Sequence, residues 1–304
     1  MQHSKNTPRV PVFVYAPGYN LEIGPHVFPA IKFGILYRAL NQDDRFGSHR
    51  FVEPEPASLQ DARTVHGRRY LDDLIHLRDK TALRKSELPL TRQIVDGFFL
   101  ASGGTLTAAR LAMESGRAMN LSGGFHHAFA SEAQGFCYLN DVAIAVRVLQ
   151  KEKAIRRALI VDLDVHQGNG TARIFRRDAN VFTFSMHEEN NYPPKEKGSL
   201  DVGLKTGCRD AEYIKLLQKS LASIRTRFSP DIVFYLAGVD TFEKDRLGGL
   251  SLSREGMAER DRIMRDFAPD VPLVIVLAGG YALRDEDTVD LHLQTCRIMA
   301  GSDN

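Results

Sequence analysis

The segment ALIVDLDVHQGNG (residues 158–170) joins a short apolar run to a group of polar side chains, and it decides the fold class. Its first four residues are apolar and include β-branched side chains, as in a strand that is buried on both faces. Similar runs lie at 12–15, 118–121, 181–184, 232–236 and 273–277. Segments of helical length and amphipathic spacing separate them, at about 103–115, 140–151, 211–227 and 254–267. Two of these begin with capping signals, Asn140-Asp141 and Ser251-Leu252-Ser253-Arg254-Glu255. This alternation predicts an α/β fold with a parallel sheet and helices on both faces.

Composition limits the class of protein. The chain has 304 residues, with 40 Lys and Arg against 38 Asp and Glu, a net charge of +2. This balance argues against a nucleic-acid or anionic-membrane binder, which needs a surplus of cations on one face. Apolar runs stay well short of the roughly 18 residues of a membrane span, and the start, MQHSKNTPRV, lacks the apolar stretch of a signal peptide. Three widely spaced cysteines (137, 208 and 296) fit a reducing compartment, so we expect a cytoplasmic protein.

Glycine and polar side chains follow five of the predicted strands, at the point where each strand ends. The carboxyl ends of parallel strands lie at one edge of a sheet, where ligands bind, so we expect a single site there. This expectation, together with the absence of linkers and repeats, predicts one domain over residues 1–304. The candidate residues at the edge are His126, His127, Asp162, Asp164, His166, Ser185, Met186, Asp240 and Tyr281.

The spacing of Asp164 and His166 points to a metal site. Two residues apart on an extended segment, their side chains leave on the same side and can hold one ion. Asp240, from another strand end, completes a set of three ligands. One imidazole with two carboxylates suits a divalent metal such as Zn²⁺, and three protein ligands leave a position open for water and substrate. For the Asp-x-Asp-x-His motif alone, a turn of capping groups is the alternative interpretation.

The histidine pair and Tyr281 add acid–base chemistry to this edge. Adjacent histidines on a regular strand face opposite ways, so both serve one site only if Gly123-Gly124 turn the chain. Otherwise one histidine packs in the core and the other lies on the surface. A histidine beside a metal site is the natural general base, because its pKa of about 6.5 lies near working pH. Tyr281 can donate a hydrogen bond to an oxyanion, although a tyrosine after Gly-Gly is more often structural.

Four motifs resemble the zinc-dependent histone deacetylase family, and within it the class IV branch and its bacterial relatives. They are GGFHHAFASEAQGFCYLND (123–141), VDLDVHQGNGT (161–171), AGVDTFEKDRLGGLSLS (237–253) and AGGY (278–281). The resemblance extends over a core of about 11–297. It implies the arginase/deacetylase fold, in which a single parallel sheet lies between two layers of helices, and a single catalytic domain.

The resemblance also implies the roles of individual residues. Asp164, His166 and Asp240 match the ligands of one zinc ion, and Tyr281 matches the tyrosine that polarises the acyl carbonyl. His126 and His127 match the tandem histidines, of which the second is the favoured general base, and Asp162 matches the partner of the first. A structural K⁺ is implied at Asp162, Asp164, His166, Ser185 and Met186. The substrate tunnel is implied at Gly135, Phe136 and Tyr192, with His26 in a loop at the rim.

Two departures from the family pattern are visible. The best-known members have a second Asp that orients the general base, whereas this chain has Asn169, an alternative that the class IV branch also uses. The segment 88–104 offers only Asp96 as an acidic residue to hold a substrate backbone.

The implied activity is hydrolysis of an acetyl or longer fatty acyl amide on a lysine side chain, in a protein or peptide. Small residues beside the histidine pair (Ala128, Ala130 and Ser131) leave room for a longer chain. An amidohydrolase acting on acetylpolyamines or other small acyl-amines is the main alternative. A two-metal ureohydrolase is disfavoured, because Gly168 stands where it needs a further carboxylate. A non-catalytic acyl-lysine-binding module is disfavoured because the chain retains the three ligands and the tyrosine.

Overall fold

The computed structural model describes residues 10–46 and 50–301. The first nine residues, which entered the prediction of a cytoplasmic protein, lie outside the described residues. In the part of the chain that is described, eight parallel strands form one sheet with the order β2-β1-β3-β8-β7-β4-β5-β6. The strands are β1 (Val12–Val14), β2 (Phe51–Val52), β3 (Arg117–Asn120), β4 (Ala158–Asp162), β5 (Val181–Glu188), β6 (Leu200–Leu204), β7 (Ile232–Leu236) and β8 (Leu273–Val276).

Helices surround this sheet. They are α1 (Lys32–Asn41), α2 (Leu59–Ala62), α3 (Arg68–Ile75), α4 (Thr81–Arg84), α5 (Arg92–Ser115), α6 (Asp141–Lys151), α7 (Asn169–Phe175), α8 (Asp210–Arg227), α9 (Arg254–Phe267) and α10 (Asp285–Met299), with a 3₁₀ turn at Pro17–Tyr19. Helix α5 packs against β1, β3 and β8 and against α6, while α9 packs against α8 and α10. Among the described helices, none combines the length and apolar character that a bilayer crossing requires.

The predicted α/β class and parallel sheet are confirmed. Every residue of β4, β7 and β8 is buried, so the sheet is covered on both faces. The apolar runs of the sequence form its six inner strands. The two strands without a predicted counterpart, β2 and β6, are the edges. Strand β2 has only two residues, and β6 alternates half-buried and exposed positions, so neither has the continuous apolar run of a central strand.

The helix predicted at about 103–115 is longer than expected, and begins at Arg92. The hydroxyl of Thr91 accepts the Ile94 N–H at 3.3 Å and caps its start. Gly103 and Gly104 weaken the helical pattern of the sequence but allow close packing here. A Cβ at Gly103 would lie 1.9 Å from the Glu55 carbonyl oxygen, and one at Gly104 would lie 1.9 Å from the Tyr19 hydroxyl.

The two predicted capping signals are confirmed. The Asn140 side chain accepts the N–H of Ala143 at 3.0 Å at the start of α6, and the Ser253 hydroxyl accepts the N–H of Gly256 at 3.1 Å at the start of α9.

Candidate active site

The loop after β3 carries the histidine pair into the interior. Gly123 and Gly124 both have φ of +81°, in the left-handed region that glycine adopts without strain, and they turn the chain. The carboxylate of Asp141 fixes this turn, because it accepts the backbone N–H groups of Gly124 at 3.0 Å and Phe125 at 2.8 Å. Both rings of the pair that follows are therefore buried on the same side, with their centroids 4.1 Å apart.

His126 has a carboxylate partner. Its Nδ1 lies 2.7 Å from Oδ2 of Asp162, the last residue of β4, and its Nε2 lies 3.1 Å from Nε2 of His127. Burial alone lowers the pKa of an imidazole, but Asp162 and Asp164 outweigh this effect and raise the pKa of His126 to about 9.

His127 has an amide partner instead. Its Nδ1 lies 2.8 Å from Oδ1 of Asn169, the first residue of α7. Oδ1 of Asn169 also accepts the backbone N–H of Gly170 at 3.0 Å, so the amide oxygen faces the ring and the ring nitrogen Nδ1 carries the proton. Burial, with the nearby His126 and His166, holds the pKa of His127 well below its usual value. His127 is thus a neutral base with its lone pair on Nε2, the nitrogen that faces His126.

The three predicted metal ligands lie together beside the histidine pair. Nδ1 of His166 is 3.2 Å from Oδ1 of Asp164 and 3.4 Å from Oδ2 of Asp240. All three side chains are buried, and one ligand atom from each lies within 4.8 Å of the others. Backbone contacts hold the two carboxylates: Asp164 Oδ2 accepts the N–H of Gly279 at 2.8 Å, and Asp240 Oδ1 accepts the N–H of Val165 at 2.8 Å.

This group fits a divalent metal ion. Oδ2 of Asp240 is fully buried and accepts no hydrogen bond from the described residues, although His166 Nδ1 lies 3.4 Å away. Burial and the neighbouring Asp164 raise the pKa of Asp240 to about 7. Two buried carboxylates side by side are costly without a cation, and a metal ion would give this oxygen the partner that it lacks.

Tyr281 follows β8 and lines the same cavity as the histidine pair and Asp164. Its backbone N–H donates to Oδ2 of Asp245 at 2.7 Å, and its ring lies 6.0 Å from that of Phe136. Burial, with Asp164 and Asp240, raises the pKa of Tyr281 well above its usual value, so its hydroxyl remains a hydrogen-bond donor at working pH.

The predicted tunnel residues surround the approach to this group. The ring of Tyr192 lies 5.2 Å from that of His127, and the ring of His26 lies 4.8 Å from that of Phe136. A Cβ at Gly135 would lie 2.5 Å from His127 Cδ2 and 3.0 Å from the Tyr192 hydroxyl, which leaves no room for a side chain. Tyr192 is 39% exposed, so it stands where the cavity meets solvent.

The residues predicted for K⁺ lie where β4 and β5 run side by side. Asp162 and Ser185 are paired in register, and Met186 follows Ser185 on β5. The Ser185 hydroxyl, a predicted ligand of K⁺, also lies 2.9 Å from Nδ1 of His187.

One sequence expectation about neighbouring residues is wrong. Ala128, Ala130 and Ser131 do not make room for an acyl chain: Ala130 accepts the N–H of Gly67 at 2.8 Å, and Gly67 and Gly170 pack tightly on this segment. The residues that line the cavity are others, among them Phe28, Phe33, Phe125, Phe136 and Cys137. Asp96 is an exposed residue of α5 whose carboxylate lies 3.8 Å from Arg92.

Four residues near the site were not among the predicted site residues, although Gln134, Asp141 and Asp245 lie within the quoted motifs. Asp141 and Asp245 act through backbone N–H groups, and Gln134 acts through Asn169. Glu87, just before the segment searched for an acidic residue, is exposed in the loop whose Ser86 carbonyl accepts the Phe136 N–H at 2.9 Å. The charge of Glu87 contributes, after burial and Cys137, to the raised pKa of Tyr192.

The parallel α/β sheet carries a buried carboxylate–imidazole–carboxylate group, paired histidines and a tyrosine at one edge. This combination is typical of metal-dependent hydrolases. Comparison with known proteins agrees. The family model described as the histone deacetylase domain matches residues 26–295. The protein histone deacetylase 2 of Arabidopsis thaliana is 32% identical over 271 residues, which cover 84% of this chain and 70% of that protein. An uncharacterized protein of Picosynechococcus sp. is 41% identical over 285 residues, with 92% and 95% coverage. The chain therefore belongs to the histone deacetylase family.

Solved structures show the same fold. The crystal structure of a histone deacetylase homologue from Aquifex aeolicus has a TM-score of 0.82 at 24% identity, covering 96% of this chain and 84% of that one. The structure of a homologue in complex with SAHA gives a TM-score of 0.83 at 24% identity, with the same coverage. The predicted arginase/deacetylase fold is thereby confirmed.

Proposed function

We propose that the chain is a zinc-dependent amidohydrolase that removes acyl groups from the side-chain amine of lysine in proteins or peptides. One observation carries the proposal: the Asp164–His166–Asp240 group, the histidine pair and Tyr281 face one cavity, at the end of an approach lined by Phe136 and Tyr192. A narrow aromatic approach suits a linear alkyl chain such as that of lysine.

Asp164, His166 and Asp240 would hold Zn²⁺, since one imidazole and two carboxylates suit this ion and the buried Asp240 oxygen accepts no hydrogen bond. When bound, the metal supplies Lewis acidity, which polarises the acyl carbonyl and lowers the pKa of water to about 7. Residues 1–304 would form one catalytic domain around this centre.

The side chains around the metal site would move the protons. Neutral His127 accepts the proton of the attacking water at Nε2, while Asn169 keeps its Nδ1 protonated. His126, whose charge is stabilised by Asp162, balances the charge that develops nearby. The Tyr281 hydroxyl donates to the carbonyl oxygen as it becomes negative, and a protonated histidine then passes its proton to the departing amine.

Contacts at the rim support a peptide substrate. Glu87 is exposed beside the Phe136 loop and can accept a backbone N–H of a peptide that extends across the entrance. An acetylpolyamine would offer this carboxylate ammonium groups in place of backbone N–H groups, so the substrate panel has to separate the two classes. Small acyl-amines remain the second candidate substrate, because the same catalytic group would hydrolyse them.

The wall of the cavity supports apolar acyl groups. Phe28, Phe33 and Phe125 line its inner part, and these rings suit acetyl and, after rotation of the side chains, longer fatty acyl groups. A two-metal ureohydrolase is disfavoured by geometry as well as by sequence. A Cβ at Gly168 would lie 2.4 Å from Oδ2 of Asp162, so a carboxylate side chain has no space at that position.

Two further parts of the proposal concern the ion between β4 and β5 and the compartment. The paired backbones of Asp162 and Ser185, with Asp164, His166 and Met186 close by, suit a structural K⁺ because they offer oxygen ligands. The three cysteines are all buried as free thiols, which supports a cytoplasmic protein.

A panel of acyl-lysine peptides from acetyl to myristoyl, with acetylputrescine, tests the proposal on the zinc-loaded protein. We expect hydrolysis of at least one acyl-lysine peptide with a higher kcat/KM than acetylputrescine. Metal removal should abolish this activity, and added Zn²⁺ should restore it. Faster hydrolysis of acetylputrescine would favour the second candidate, and no hydrolysis of any acyl amide would refute both.

A further inference from the structure

Tyr192, the tunnel residue that meets solvent, lies in the loop after β5. Its ring is 39% exposed, with the ring of His127 5.2 Å away and that of His166 6.1 Å away. Its hydroxyl faces Gly135, where an added Cβ would lie 3.0 Å from it. Because solvent covers much of this ring, side-chain packing holds it from one side only. The position of the ring over the cavity therefore depends on the backbone of its loop.

The side chain of Asn191 fixes this backbone with three hydrogen bonds. Its Oδ1 accepts the backbone N–H of Tyr192 at 2.7 Å. Its Nδ2 donates to Oε2 of Glu188 at 2.7 Å and to the backbone carbonyl of Leu247 at 2.8 Å. The orientation of this amide is unambiguous, because the Tyr192 N–H can only donate and the Leu247 carbonyl can only accept. Both N–H groups and the oxygen of the amide are therefore in use.

Glu188, the last residue of β5, is a fixed partner for this amide. Its side chain is buried, and Oε2 also accepts the backbone N–H of Gly249 at 2.8 Å. Oε1 accepts the Thr206 hydroxyl at 2.5 Å, and the backbone N–H of Glu188 donates to the Val165 carbonyl at 2.9 Å. The carboxylate is thus held at the strand end by contacts that do not involve Asn191.

The segment 247–249, the other partner of Asn191, is also joined to Tyr281. The carboxylate of Asp245 accepts the N–H groups of Leu247 at 2.8 Å, Gly248 at 3.0 Å and Tyr281 at 2.7 Å. Asn191 therefore connects the loop of the tunnel wall to the segment whose carboxylate fixes Tyr281. Without this amide, no side-chain contact named here joins the Tyr192 loop to that segment.

We propose that Asn191 is a positioning residue for the substrate tunnel: it holds the ring of Tyr192 over the cavity and thereby sets the affinity for the alkyl chain of the substrate. The inference rests on the proposed function, in which Tyr192 lines the approach to the metal site. It goes beyond that function because it assigns a role in substrate affinity to a side chain that acts through its neighbour.

The test uses Asn191→Asp, which keeps the size of the side chain and the oxygen that accepts the Tyr192 N–H. It replaces both donors with an oxygen beside the Glu188 carboxylate and the Leu247 carbonyl. In the zinc-loaded protein we expect KM for an acyl-lysine peptide to rise about 5-fold or more, as the loss of a hydrogen bond would allow, with kcat within about 2-fold of the parent. Asn190→Asp, the same change at the exposed preceding residue, is the matched control and should keep the parent KM.

Two further measurements separate positioning from general destabilisation. In the Tyr192→Ala background, where no ring remains to be positioned, Asn191→Asp should change KM by less than about 2-fold. Hydrogen exchange, measured by mass spectrometry on peptides that cover 189–196 and 245–250, should be faster in Asn191→Asp than in Asn190→Asp.

The exchange result does not depend on turnover. Faster exchange in a protein that hydrolyses no acyl amide would therefore count against the proposed function and not against the contact of Asn191 with its neighbours. Four results would overturn the inference: a KM equal to that of Asn190→Asp, a loss of kcat with KM unchanged, the same rise of KM in the Tyr192→Ala background, or exchange as slow as in Asn190→Asp.

Discussion

Replacing Tyr281 with Phe removes one hydroxyl from the cavity and leaves the surrounding contacts in place. The ring is buried, 6.0 Å from that of Phe136 and 6.5 Å from that of Phe28, and phenylalanine keeps both neighbours. The backbone N–H still donates to Asp245. The metal ligands have their own backbone contacts, so the variant should fold and retain the metal.

The size of the effect follows from what the hydroxyl would do. Burial, with Asp164 and Asp240, raises the Tyr281 pKa, so the group is a proton-bearing donor throughout the working pH range. In a buried site, the loss of one donor to a developing oxyanion costs about 3–4 kcal/mol of transition-state stabilisation, or roughly 10²–10³ in kcat. The substrate carbonyl carries less charge in the ground state, so KM should change much less.

The assay is steady-state hydrolysis of the best acyl-lysine peptide by zinc-loaded protein, with zinc content measured for each variant. Tyr37→Phe provides the same chemical change at a ring that packs on Tyr15 and Phe51, and it should have normal kcat. A Tyr281→Phe enzyme with full zinc content and kcat within roughly 3-fold of the parent would refute the assigned role.

Three further predictions concern the residues around this centre. In Asn169→Asp, a carboxylate should raise the pKa of His127 by about one unit or more, so the acid limb of the kcat/KM profile moves to higher pH; superimposable profiles would contradict this. Asp245→Ala leaves three N–H groups, including that of Tyr281, without an acceptor, and urea unfolding should show a loss of about 3 kcal/mol or more; a loss below about 1 kcal/mol would count against it. Burial lowers the pKa of Lys32 to about 8 despite Asp240 and Asp164, so above that pH the unfolded chain binds more protons than the folded one. The free energy of unfolding should therefore gain up to about 3 kcal/mol between pH of about 7 and about 10, a gain that Lys32→Met should lack; equal pH dependence in the two proteins would exclude this effect.

The inner strands could be predicted from the sequence because each is a continuous apolar run. The candidate ligands could also be predicted, because strand ends place Asp164, His166 and Asp240 at one edge of any parallel sheet. The two edge strands, β2 and β6, and the full length of α5 could not be predicted from the sequence. Their structure depends on contacts with distant residues: the glycines of α5 suggest a break in the helix until the close approach of Glu55 and Tyr19 is known.

The carboxylates that support the site, Asp141 and Asp245, could not be predicted from the sequence either, because their contacts are with distant parts of the chain. Asp141 and Asp245 accept backbone N–H groups, which every residue other than proline offers, so no side-chain pattern marks their partners. Asp141 reaches back 16 and 17 residues, and Asp245 reaches forward 36. The prediction that Ala128, Ala130 and Ser131 leave room for an acyl chain was wrong because the size of a loop residue does not indicate the direction in which its side chain faces.

The backbone contacts of Asp141, Asp164 and Asp245 link separate strand ends to one another. Asp141, at the start of α6, holds the loop after β3; Asp164, after β4, holds the Gly279 N–H after β8; and Asp245, after β7, holds Tyr281. Each loop is therefore fixed by a carboxylate from a different part of the chain. A substitution at any of these carboxylates should disturb a side chain that belongs to another strand end, so damage to the metal site and damage to the tyrosine need not coincide. Asp245→Ala should impair kcat while retaining the metal, because its contacts end on Tyr281, Leu247 and Gly248 rather than on a ligand.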